Sequence, residues 1–133
     1  MDPFTEEQIE EMASEVERQL TALHRPAAAF TKSRDGGPGE PPQLRAIAQA
    51  TGEDAPSFLK RFKQAARKDI CQEGGILHKQ WSEWRDVDPK TAVKTIGGIL
   101  VAMGLAGTLL QAVAVAVAAY VLYLGVDAFC QDA

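Results

Sequence analysis

The strongest constraint on this chain is a stretch of 32 residues, Thr95 to Val126, without one charged side chain. All 14 Lys and Arg precede it, and so do 16 of the 18 Asp and Glu. The whole-chain averages, 46% hydrophobic and 24% charged with a net charge of -4, describe an ordinary small soluble protein. Divided at Lys94, the same residues describe two materials: a charged part suited to water, and a part that prefers lipid or a fully buried core. The composition excludes a nucleic-acid protein built on global basicity, a disulfide-dense scaffold and a large multidomain enzyme.

As one helix the uncharged tract would be about 48 Å long, whereas a bilayer's hydrocarbon core is about 30 Å thick. Three arrangements satisfy this length: a single span whose opening turns lie in the interface, a tight hairpin bending near Gly104 to Gly107, or two helices buried as the core of a soluble protein. The flanks favour the single span. Asp88 and Pro89 form a helix start, with Asp as cap and Pro at the first helical position. Trp81 and Trp84 lie upstream and Tyr120 and Tyr123 near the far end, as expected of rings that seek the headgroup level. Lys79, Arg85, Lys90 and Lys94 precede the tract and only Asp127 and Asp132 follow it. The positive-inside rule therefore predicts a cytoplasmic N-terminal module. With seven residues after Val126, a single span would be a tail anchor. The acidic N-terminus has no apolar core segment and does not read as a signal peptide.

Within the tract, Gly97, Gly104, Gln111, Ala118 and Gly125 recur at seven-residue spacing, and Gly107 and Ala114 fall on the same face of a continuous helix. Small residues allow close backbone approach in lipid, and an amide finds its copy on a neighbouring helix. This stripe predicts homo-oligomerisation by left-handed packing. Thr108 and Gln111 are the polar side chains of the middle of the tract, thin support for a conducting pore.

The first helix is the clearest soluble element. Thr5 to Gln8 fits a capping box, with Phe4 and Ile9 placed as the accompanying hydrophobic staple. Ile9, Met12, Val16, Leu20 and Leu23 form one apolar stripe. Asp2, Glu6, Glu7, Glu10, Glu11, Glu15 and Glu17 precede the first basic residue, Arg18, and predict a solvated acidic face that complements the helix dipole or receives a protein partner. The Gly/Pro-rich stretch from 26 to 42 reads as a flexible linker. A helical module follows over 43–88. Its second helix runs from Gln43 to Thr51, its third from about Asp54 to Gln72, and a short fourth from Ile76 to Trp84. The third helix carries Lys60, Arg61, Lys63, Arg67 and Lys68 opposite an apolar face of Phe58, Leu59, Phe62, Ala65, Ala66 and Ile70. This basic patch predicts a solvated face or contact with anionic lipid or with the acidic first helix. Leu44 to Phe62 loosely resembles a helix-turn-helix, with Ala48, Gly52 and Phe58 at that motif's spacings. Glu53 on a normally apolar position and Pro56 inside the second helix depart from it. The first turns carry Asp54, Ala55 and Ser57 rather than base-reading side chains, so nucleic acid is disfavoured.

No catalytic constellation is legible. His24 and His78 stand apart from any nucleophile, no phosphate loop, dinucleotide fingerprint, HExxH or GxSxG is present, and no cofactor or metal is expected. Cys71 and Cys130 face opposite sides of the bilayer in the single-span arrangement. In the hairpin or the soluble core they are free to meet. Taken together the sequence predicts an all-α, non-enzymatic protein. It has an acidic helix over 1–25, the linker, the helical module, a membrane-inserting segment over 89–128 and a short tail over 129–133. The expected partners are a lipid bilayer, further copies of the chain, and a protein that meets the first helix. The expected function is a membrane-anchored adaptor that self-associates. The alternatives are a membrane-disrupting or pore-forming effector and a soluble adaptor with the tract buried.

Overall fold

The computed structural model describes residues 4–23, 42–72, 75–84 and 88–130. All of its regular elements are helices: α1 (Glu6–Leu23), α2 (Pro42–Thr51), α3 (Ala55–Ala66), α4 (Ile76–Trp84), α5 (Pro89–Ala102), α6 (Gly107–Leu124) and α7 (Val126–Cys130). No strand occurs among the described residues. The all-α class is as the period of the apolar residues predicts. The linker expected over 26–42 lies outside the described residues, apart from Pro42 at the start of α2.

The helix starts follow from local chemistry. Thr5 and Gln8 close the capping box reciprocally. The Thr5 amide donates to Gln8 Oε1 at 2.9 Å, and the Gln8 amide donates to Thr5 Oγ1 at 3.1 Å. Asp54 caps α3 by accepting from the Ser57 amide at 3.0 Å, and Asp88 caps α5 by accepting from the Lys90 amide at 3.2 Å. At its C-terminal end α3 widens into a π-helical turn, Arg67–Cys71, closed by the Gln72 amide donating to the Arg67 carbonyl.

The uncharged tract is not one helix. It breaks at residues 103–106, where Gly104 adopts φ +100° and Gly107 adopts φ +68°. These are left-handed values that only glycine takes without strain. Helices α5 and α6 fold back on each other as a hairpin. Their antiparallel sense follows from Trp81 on α4. Its ring packs against Gly125 at the end of α6, while α4 also packs against α5. The single continuous helix expected over the tract is therefore replaced by the hairpin.

Helix α6 is the centre of the molecule, packed against α1, α2 and α5. Val113 to Ala119 are buried in seven consecutive positions, so this stretch is enclosed on every side. A helix that is apolar all round requires such enclosure when no lipid surrounds it. The stripe of α1 supplies Ile9, Met12, Val16 and Leu23 to this core, α2 supplies Ile47, and α3 supplies Phe58, Leu59 and Phe62. A disulfide between Cys71, on the π-helical turn after α3, and Cys130, at the end of α7, adds a covalent link across the fold.

Candidate functional site

The hairpin has two unlike ends. Its tip, from Val101 to Leu109, contains no charge and is largely solvent-exposed. Val101 is 47% and Leu109 38% exposed, and Met103 and Leu105 are half-buried between them. Large apolar side chains clustered on one exposed turn are the informative kind of exposure, because water is a poor environment for all of them together. The bend exists because Gly104 and Gly107 can take positive φ, and nothing packs where their side chains would be.

The base of the hairpin gathers the residues expected at a membrane interface. Lys90 and Lys94 are exposed along the start of α5. Tyr123 lies in the last turn of α6, and the Trp81 ring covers Gly125 beyond it. Tyr120, one turn earlier, lines a cleft of about 340 Å³ with Leu44, Pro56, Leu59, Lys60 and Lys63. The Trp84 side chain lies outside the described residues. Along the hairpin axis the order is thus an apolar tip, a closed apolar middle and a base with aromatic and cationic side chains.

The base is also where the C-terminal end is fastened. Phe129 of α7 is fully buried and meets Phe62 edge to face, with ring centroids 6.1 Å apart. Lys63 Nζ lies 5.1 Å from the centroid of the same Phe129 ring, a cation–π contact. Cys130 follows immediately and is bonded to Cys71 on the π-helical turn after α3. Neither cysteine is fully buried. The bond holds the chain before and after the hairpin on one side, which the single-span arrangement forbids. Folding the tract back brings together two cysteines 59 positions apart, the pairing open to the hairpin and the soluble core.

The seven small-stripe positions do not share one helix face. Gly97 lies on α5 beneath the Phe4 ring, so close that a Cβ there would stand 2.4 Å from Phe4 Cε2. Gly104 belongs to the bend and Gly107 opens α6. Gln111 is half-buried, while Ala114 and Ala118 are buried within the molecule's own core. Gly125 ends α6 at φ +89° against Trp81. The stripe assumes an unbroken helix, and three of the glycines that mark it, Gly104, Gly107 and Gly125, are where the helix breaks.

The charged surfaces remain apart. Among the described residues the ion pairs join Arg18 to Glu15 within α1 and Arg61 to Glu53 beside the start of α3. No ion pair links the acidic α1 to the basic α3 among them. Lys60, Arg61, Arg67 and Lys68 are exposed and Lys63 is half-buried, with Arg61 also placed 5.8 Å from the Phe58 ring centroid. The Asp54 carboxyl is held below its ordinary value by the Ser57 amide and then by the Ser57 hydroxyl. Among the described residues no three His, Cys, Asp or Glu converge as a metal site.

The chain matches no protein-family model, no curated protein and no solved structure. The functional reading therefore rests on the hairpin. Helix α6 is the one described helix long and apolar enough to cross a membrane, and half of it is buried inside the molecule. The bend near Gly104 to Gly107 and the meeting of Cys71 with Cys130 were among the sequence-based alternatives, whereas two contacts that define the site, Phe4 on Gly97 and Phe62 on Phe129, were not. Neither contact leaves a local signal, since each joins residues far apart in the chain.

Proposed function

We propose that this protein is a non-enzymatic, membrane-associating helical module that meets the bilayer with the tip of its α5–α6 hairpin. The observation that carries this reading is the uncharged, exposed tip with Val101 and Leu109 at its edges. The tip enters the membrane shallowly, while the base and the amphipathic helices α1 to α3, which pack around the middle of the hairpin, remain in water.

Self-association through Ala114 and Ala118 belongs to a later state, because both are covered by the folded chain itself. The enclosure of α6 by amphipathic helices favours a second reading, a membrane-disrupting effector that carries its apolar hairpin folded away. Dye release from vesicles separates the two: a docking module leaves vesicles sealed, and an effector empties them.

The test of the membrane reading is a flotation assay on vesicles of mixed neutral and anionic phospholipid. Each tip side chain that enters lipid contributes about 1.5–3 kcal/mol when fully buried. V101D/L109D is therefore expected to lose at least about tenfold in vesicle binding, since tenfold corresponds to about 1.4 kcal/mol. Both side chains are exposed, so melting temperature should stay within a few degrees of the parent. Equal flotation of parent and variant, or no flotation of the parent, overturns the reading.

A further inference from the structure

The Cys71–Cys130 bond divides the arrangements open to α6 in a bilayer. While it is intact, the end of α6 is tied to the π-helical turn after α3, and the hairpin can approach lipid only tip first with both of its ends on one side. Once it is broken, α7 is held by the Phe62–Phe129 contact, by Lys63 on the Phe129 ring and by Trp81 against Gly125. These are noncovalent and local. Helix α6 spans 18 residues, about 27 Å, close to the hydrocarbon thickness of about 30 Å. Helix α5 has 14 residues and carries Lys90 and Lys94 on its first turns, so it is too short and too polar at its start to accompany α6 across.

We infer that this disulfide is a redox latch on membrane insertion. Oxidised, it restricts the protein to shallow docking by the hairpin tip. Reduced, it lets α6 swing out of the core and cross the bilayer alone, carrying Cys130 to the far side. The inference rests on the membrane reading above and specifies its regulation. The chemistry is thiol–disulfide exchange with a dithiol. One thiolate of the dithiol attacks a sulfur of the Cys71–Cys130 bond and forms a mixed disulfide, expelling the other cysteine as a thiolate. The second thiolate of the dithiol then closes its own disulfide and releases the remaining cysteine. Two electrons pass to the protein, both cysteines end as thiols, and the dithiol is oxidised. The partial exposure of both cysteines gives the attacking thiolate access. Oxidising compartments keep the latch shut and reducing ones open it.

The experiment uses the full chain on sealed vesicles of neutral and anionic phospholipid, oxidised or reduced with a dithiol. Reduction is expected to raise vesicle binding at least tenfold. In the reduced, bound protein a membrane-impermeant maleimide should label Cys71 but reach Cys130 only after detergent. Cys71→Ser and Cys130→Ser assign each thiol separately. Bridging the two thiols of the reduced protein with dibromobimane should return it to the oxidised behaviour even in reductant, which separates the tether from any other effect of the reductant. Equal binding of both redox forms, or equal labelling of Cys71 and Cys130 on vesicles, overturns the latch and leaves tip docking intact. Failure of both forms to bind overturns the membrane reading and the latch with it.

Discussion

Phe4 and Gly97 illustrate how single residues decide the packing here. The Phe4 ring occupies the volume that any side chain at position 97 would need. Gly97→Ala is therefore expected to displace the ring and cost about 1–2 kcal/mol, in the range of overpacked cores. In a Phe4→Ala background the same change should cost much less, because contacting residues are not additive. Denaturant unfolding of the four proteins of this cycle measures the coupling. Asp54 offers a titratable counterpart. Its carboxylate caps α3 and its folded pKa lies below the unfolded one, because Ser57 bonds the charged form. Its contribution is thus fully present above about pH 4, the ordinary aspartate value, and is lost as pH falls through the lower folded value. Asp54→Asn keeps an accepting oxygen but cannot titrate. The variant should melt near the parent at neutral pH and lose less stability between about pH 4 and pH 2.

At the scale of elements, the hairpin depends on backbone geometry that only glycine supplies. Gly125 joins α6 to α7 at φ +89°, and a Cβ there would also stand 3.0 Å from two atoms of the Trp81 ring. Gly125→Ala should cost about 2–3 kcal/mol from backbone strain and crowding. It should also change the near-UV signal of Trp81, whereas Gly98→Ala, inside α5 where nothing lies near a Cβ, should leave that signal unchanged and stabilise by about 0.5–1 kcal/mol. The elements of the charged part were legible in the sequence because their signals are local. Thr5 and Gln8, Asp54 and Pro56, and Asp88 and Pro89 mark starts by bonds within four residues. Gly52, at φ +77°, follows the end of α2. The uncharged tract was less legible because its composition satisfies lipid and protein core equally. A seven-residue repeat of small residues reads as a packing face only on a helix that Gly104, Gly107 and Gly125 do not break.

For the whole molecule, the disulfide is the largest single constraint. It closes a loop of 59 positions, for which the chain-entropy account gives about 4 kcal/mol of stabilisation. A domain of this size holds about 5–15 kcal/mol in total. Reduction is therefore expected to lower the melting temperature by about 10–15 °C while leaving a folded, less secure bundle. Calorimetry of the oxidised, reduced and C71S/C130S proteins measures this. An unchanged melting temperature on reduction would mean that noncovalent packing of α7 alone holds the base of the hairpin. Helices α1, α2 and α5 enclose the middle of α6 and leave the tip of the hairpin uncovered. By itself the sequence determined the helical class, the position of every helix start with a side-chain cap, and the separation of charged from uncharged chain, because those depend on neighbours within a few residues. The path of the uncharged tract was decided only by tertiary structure. Whether Gly104 bends, whether Gly97 receives a ring, and whether Cys71 meets Cys130 depend on contacts between residues far apart in the chain, which no local pattern specifies.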